Sequence, residues 1–217
     1  MSVWHVDYAT AWAEQKRLFA AALEAKRGGR PVTNHLLLCE HTPVYTLGKR
    51  ADEGNLLIDP AAVGAEVFHI ERGGDITYHG PGQITGYPIL DLEAFGIGLR
   101  TYIERLEQMI IDLIADHGLR GARLDGASGV WLDAGVQGRE RKICAIGVRA
   151  SRFVTMHGFA FNVSTDLSYF DRINPCGFTD KGVTSLEQET GRSFDLDAMA
   201  EEVRARFAVV FPEAEVR

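Results

Sequence analysis

Arg72-Gly73-Gly74-Asp75-Ile76-Thr77-Tyr78-His79-Gly80-Pro81-Gly82-Gln83 crowds four glycines into one short stretch, directly after the strand-like run from Ala65 to Ile70. No Gly-Lys-Ser/Thr closes it, so it is not a P-loop, and its spacing is not the dinucleotide-binding Gly-x-Gly-x-x-Gly. Two readings stand. The glycines fit a β-hairpin with special turn geometry, and they equally let backbone approach a ligand beside Arg72, Tyr78 and His79.

Outward from this stretch the pattern alternates between strands and helices. The spacing predicts an amphipathic helix from Tyr8 to Arg27, with Trp12, Phe19 and Leu23 on one stripe and Gly28-Gly29 as its stop. His35 to Cys39 reads as a buried strand. Gln83 to Leu92 is extended, with Pro88 expected to mark a sheet edge or a bulge. A second helix is expected from Leu99 to His117, where Leu99, Tyr102, Ile103, Leu106, Ile110, Leu113 and Ile114 recur at helical spacing before Gly118. Val130 to Leu132, Lys142 to Ala150 and Phe153 to Val163 read as strands, with a polar turn over 135–140. Asp195 is the expected cap of a last helix through Phe207. The expected architecture is α/β of the α+β type: one domain over 1–217, a largely antiparallel or mixed sheet flanked by about three helices.

Composition sets the outer bounds. The 217 residues are 46% apolar and 24% charged, as in an ordinary globular domain, which excludes a disordered or fibrous chain. Twenty-three Lys and Arg against 30 Asp and Glu leave a formal charge of −7, which argues against general nucleic-acid binding. Cys39, Cys144 and Cys176 are odd in number and widely spaced, so neither a disulfide framework nor a zinc site is indicated, and no metal is expected. Met1 to Tyr8 has no apolar run, and no stretch approaches membrane-spanning length. A soluble, cytoplasmic monomer with no membrane partner is the expectation.

The glycine-rich stretch resembles the signature of the lipoate-biosynthesis octanoyltransferases. Four further segments agree with that family in its order: Lys142-Ile-Cys-Ala-Ile-Gly147, His157-Gly-Phe-Ala-Phe-Asn162, Asn174-Pro-Cys-Gly177 and Val183-Thr-Ser-Leu186. The resemblance runs from the thirties to the one-eighties, and no motif position departs from it. It implies the fold of biotin and lipoate protein ligases, which is class II synthetase-like. It also implies a reaction: an octanoyl group moves from octanoyl-acyl carrier protein to a lysine of a lipoyl domain, through a thioester on an enzyme cysteine. The acceptors implied are the lipoyl domains of 2-oxoacid dehydrogenases and the glycine cleavage H protein. No cofactor is implied, since a thioester donor is already activated.

Taken alone, Cys176 in its Pro-Cys-Gly loop is an ordinary turn residue as readily as a nucleophile; the resemblance makes it the nucleophile, with Lys142 as the cation that lowers its pKa and carries protons. Cys144 competes, because simple strand alternation puts Lys142, Cys144 and Ile146 on one face. Against it, a cysteine inside an apolar strand usually behaves as a small buried hydrophobe. The resemblance further assigns substrate contacts to Arg72, Gly73, Gly74, Asp75, Ile76, Thr77, Tyr78 and His79, to Ala145, Ile146 and Gly147, and to Gly158, Phe159 and Ala160. His79 and His157 either orient that site or fill turns. Finally, Arg139, Arg141, Lys142, Arg149 and Arg152 crowd one region beside a single acid, Glu140. That run is either a solvated surface or a dock for an acidic carrier protein.

Overall fold

A computed structural model describes residues 3–174, 181–212 and 214–216. In chain order the elements are β1 (Trp4–His5), α1 (Tyr8–Arg27), β2 (Asn34–Glu40), β3 (Val44–Leu47), β4 (Glu66–His69), β5 (Ile76–His79), β6 (Gln83–Ile89), α2 (Leu99–Asp116), β7 (Ala122–Leu124), β8 (Ala127–Leu132), β9 (Arg141–Ser151), β10 (Val154–Asn162), β11 (Gly182–Val183), α3 (Leu186–Thr190), α4 (Leu196–Val210) and β12 (Ala214–Val216).

 The last helix, Leu196–Val210, begins on Asp195, whose carboxylate accepts a hydrogen bond from the Ala198 amide at 2.8 Å. At the other end of the chain, α1 matches its expected bounds at both termini: Asp7 caps it through the Thr10 amide, and Gly28 follows its last turn.

Two sheets form. The larger runs β1-β2-β6-β10-β9-β8-β7, with β11 added to β9 and β12 to β2; the smaller runs β4-β3-β5. The larger sheet is mixed, since β2, β6, β10, β9 and β8 are antiparallel while β1, β11 and β12 join in parallel. Both faces of its centre are covered, which is why β2 is an apolar run rather than an alternating one. Leu36, Leu38, Ile84, Phe159 and Phe161 belong to one core with Leu106, Ile110 and Leu113 of α2 and Val203 and Phe207 of α4. Leu37, Cys39, Tyr87, Ile89 and Met156 belong to a second core with Tyr8, Leu18 and Phe19 of α1. Among the described residues no helix is long and apolar enough to cross a membrane.

Pro88 departs from expectation. It lies at neither an edge nor a bulge, because β6 sits between β2 and β10. The β6–β10 register is the same at Gly86↔Phe159 and at the Asp91↔Val154 bridge, so no extra residue intervenes. The Thr155 hydroxyl spans the gap: it donates to the Pro88 carbonyl at 2.8 Å and accepts from the Leu90 amide at 3.0 Å. Where proline breaks the ladder, this side chain satisfies the Pro88 carbonyl and the Leu90 amide. In that constant register Pro88 faces His157, which adopts φ 60°.

The glycine-rich stretch is also more ordered than a loop. Its second half is β5, paired to β3 from Ile76↔Leu47 to His79↔Val44.

Candidate active site

A cavity of about 630 Å³, reached by Tyr8 of α1 and by Leu99 and Ile103 of α2, is within the size range of small-molecule sites. Its floor is the β9–β10 pair, where Gly147 opposes Gly158 and Ala145 opposes Ala160. The two glycines face close neighbours. A Cβ on Gly158 would stand 2.2 Å from the Gly86 carbonyl, and one on Gly147 would stand 3.0 Å from Arg72 Cδ. One wall is the stretch from Arg72 to Thr77 with His79, and Lys142, Ile146, His157 and Phe159 complete the set of expected residues around the same space. Tyr8, Gln83, Tyr87, Ile103, Asn162 and Val183 also line it and carried no expectation. Tyr8 was legible only as a helix start, and Ile103 only as part of a helix stripe. Gln83 and Asn162 stand inside quoted motifs, which was a signal without a role.

Tyr78 is placed elsewhere. Its ring stacks on Tyr169 at 4.4 Å between centroids and packs with Tyr45 and Phe170. Its hydroxyl fills the space beside Gly80, where a Cβ would come within 1.9 Å. Asp75 acts on neighbouring backbone: it accepts from the Asn55 amide side chain at 2.6 Å and from the Asp52 and Ile76 amides.

Arg72 is nearly buried, with 7% of its surface exposed. Its guanidinium donates to the Thr46 carbonyl at 2.5 Å, to Thr46 Oγ1 at 3.1 Å and to the Gly73 carbonyl at 3.1 Å. It is a fixed positive wall. The three histidines nearby are held neutral. Burial, with Arg72 close by, pushes His79 and His157 down to about 3, and burial also lowers His41.

Strand alternation fails at Lys142, and the reason is local. β8 and β9 pair as Gly129↔Ala145 and Val130↔Cys144, then shift to Trp131↔Lys142 and Leu132↔Arg141. Ile143 is therefore an extra residue on β9, a β-bulge. Ile143 and Cys144 both enter the core beneath α2, while Lys142 falls into phase with Ala145 and Gly147 and lines the cavity. The expected shared face of Lys142 and Cys144 is overturned. Cys144 is fully buried, and that burial pushes its thiol up, away from thiolate character. Cys39 is buried with the same consequence. The Lys142 ammonium lies 4.6 Å from the centroid of the Trp131 ring.

Cys176 lies outside the described residues. The chain on either side of that segment is anchored at the site. Asn174 N donates to the Asn55 carbonyl at 2.9 Å, and Val183 pairs directly with Lys142. Thr184 then donates its amide to the Lys142 carbonyl at 2.9 Å.

The basic run is largely compensated. Arg141 pairs with Glu189 at 2.5 Å and Asp133 at 2.7 Å, Arg139 shares Asp133 at 3.0 Å, and Arg149 meets Glu71 at 3.4 Å. Arg141 is a structural tie between β9 and α3.

Residues 7–208 match the family model for the lipoyl protein ligase A/B catalytic domain. The chain is 58% identical over 205 residues to an octanoyltransferase of Porphyromonas gingivalis, spanning 93% of this chain and 42% of that protein. It is 54% identical over 209 residues to an octanoyltransferase of Parabacteroides distasonis, spanning 95% of each. Its backbone is similar to a bi-partite lipoate protein ligase from Thermoplasma acidophilum, with TM-score 0.67 and 13% identity over 99% of this chain and 84% of that one. A lipoate-protein ligase A bound with ATP gives TM-score 0.65 and 12% identity over 100% and 87%.

Proposed function

From the premise that the chain belongs to the lipoyl protein ligase A/B catalytic-domain family, we propose that residues 1–217 form one catalytic domain of an octanoyltransferase of lipoate biosynthesis. The donor is octanoyl-acyl carrier protein, and the acceptor is a lysine of a lipoyl domain. The observation that carries this reading is the β9 bulge, which brings Lys142 onto a glycine- and alanine-floored cavity beside the segment that resumes after Cys176.

The chemistry follows from those parts. The Cys176 thiolate attacks the donor's thioester carbonyl, a new C–S bond forms, and the carrier's thiolate departs, taking a proton from the Lys142 ammonium. In the second half, the acceptor amine attacks the acyl-Cys176 carbonyl. An amide C–N bond forms, the Cys176 thiolate leaves, and the amine's proton returns to Lys142. Thioester is exchanged for thioester and then for a more stable amide, so no ATP is consumed. Apolar floor residues stabilise the acyl chain by ~0.8 kcal/mol per buried CH₂. A reducing cytoplasm suits a free thiol nucleophile.

Incubation with octanoyl-carrier protein followed by intact-mass measurement tests the reading. Wild type and Cys144→Ser acquire one octanoyl group, and Cys176→Ser forms no thioester. An adduct lost only in Cys144→Ser overturns the assignment. A requirement for ATP with free octanoate assigns the chain to acid activation instead.

A further inference from the structure

Gln83 and Asn162 join a chain of buried hydrogen bonds whose direction is set from the Thr184 end. At one end the Thr184 carbonyl can only accept, so the Asn162 side chain turns its Nδ2 to it, at 3.0 Å. That leaves Asn162 Oδ1 to accept from Gln83 Nε2 at 2.8 Å, and the same Nε2 also donates to the Tyr78 carbonyl at 3.2 Å. Gln83 Oε1 is therefore the atom facing His79 Nδ1, at 2.8 Å, and Nδ1 must carry the proton. At the other end Arg72 can only donate. It gives N–H groups to Thr46 Oγ1 at 3.1 and 3.4 Å, and the rotatable Thr46 hydroxyl turns its hydrogen to the bare His79 Nε2, 3.3 Å away. Every donor points from Arg72 toward Thr184, an arrangement in which each bond polarises the next.

We propose that Gln83 and Asn162 are positioning residues that hold His79 as the neutral Nδ1–H tautomer, so that the cavity wall beside Arg72 carries one positive charge rather than two. The functional half of this rests on reading the cavity as the acyl site. The groups facing His79 all fit a neutral ring. Arg72 is a permanent cation, Tyr8 lies parallel to it with centroids 6.0 Å apart, and His157 is itself neutral. His41, with its ring centroid 6.3 Å away, has Nδ1 on the Val6 carbonyl and Nε2 on the Tyr87 hydroxyl, so it too is satisfied without a charge. A cationic His79 would add a second charge to a surface that must accept a hydrocarbon chain. An imidazole in isolation prefers the proton on Nε2, so the Nδ1–H form is imposed by Gln83 and not intrinsic.

Nitrogen NMR of ¹⁵N-histidine-labelled full-length protein reads the tautomer directly, without reference to activity. Wild type is expected to show His79 with protonated Nδ1 and bare Nε2. Gln83→Met removes the acceptor and should move the proton to Nε2, because Thr46 Oγ1 can accept as well as donate. Gln83→Glu sets a carboxylate against Nδ1–H and raises the His79 pKa, so imidazolium appears as pH falls. Wild type, by contrast, should keep a neutral His79 ring in the same spectra down to about pH 5. An Nε2–H or mixed tautomer in wild type, or an unchanged ring in Gln83→Met, overturns the proposal. Imidazolium in wild type at that pH removes the charge argument. Absence of any acyl transfer by wild type would instead remove the acyltransferase reading and leave the tautomer result standing.

Discussion

His157 concentrates several constraints in one residue. It holds φ 60°, a region that costs a non-glycine residue energy, and it is 2% exposed in the middle of β10. With a folded-state pKa near 3 against 6.5 unfolded, it binds its proton only after unfolding. The sign follows: between about pH 6.5 and 3 the unfolded state takes up a proton that the folded state refuses, so stability falls as pH falls. His157→Asn keeps a residue that tolerates positive φ and removes the titration. Denaturant unfolding at pH 6 and pH 5 should show the variant losing about 1.2 kcal/mol less than wild type across that unit. An equal loss in both proteins would mean that His157 is charged when folded.

At the level of elements, the β9–β10 floor and the bulge decide what the sheet can present. Gly158 and Gly147 look alike in sequence, yet their neighbours differ. A Cβ at Gly158 meets backbone, the Gly86 carbonyl at 2.2 Å, whereas one at Gly147 meets the Arg72 stem and the Gly73 carbonyl at 3.0 and 3.1 Å. Overpacking of this kind costs about 1–3 kcal/mol where neighbours cannot move. Gly158→Ala is expected at or above the top of that range in thermal unfolding. Gly147→Ala is expected to lose under about 1 kcal/mol by the same principle while raising KM for the acyl donor, because it pushes Arg72 into the cavity. Equal destabilisation by both substitutions would contradict this steric difference. The elements themselves were legible where a stripe meets a stop, as in α1 between Asp7 and Gly28. The Ile143 bulge was not, because an extra apolar residue in an apolar strand leaves no mark on the pattern.

Across the whole molecule, charge has to be counted after folding. The run from Arg139 to Arg152 looks like a basic patch in sequence, but Asp133, Glu189 and Glu71 come to it from β8's end, α3 and the segment before Arg72. Arg141→Ala should therefore act on stability, by about 1–3 kcal/mol for loss of a part-buried charge-assisted pair, read as a lowered melting temperature. A salt-dependent loss of turnover with carrier protein at unchanged stability would show that Arg141 docks the donor instead. The sequence by itself determined the family motifs, the α1 and α2 helices and the mixed sheet. Those are local patterns or short motifs, and each carries its own signal. Tertiary structure alone decided that Lys142 leaves the Cys144 face, that Tyr78 turns away from the cavity, and that Gln83 and Asn162 orient His79. Each of these depends on a partner far along the chain, on strand register or on a carbonyl with no side-chain signature, and no local pattern encodes such a pairing.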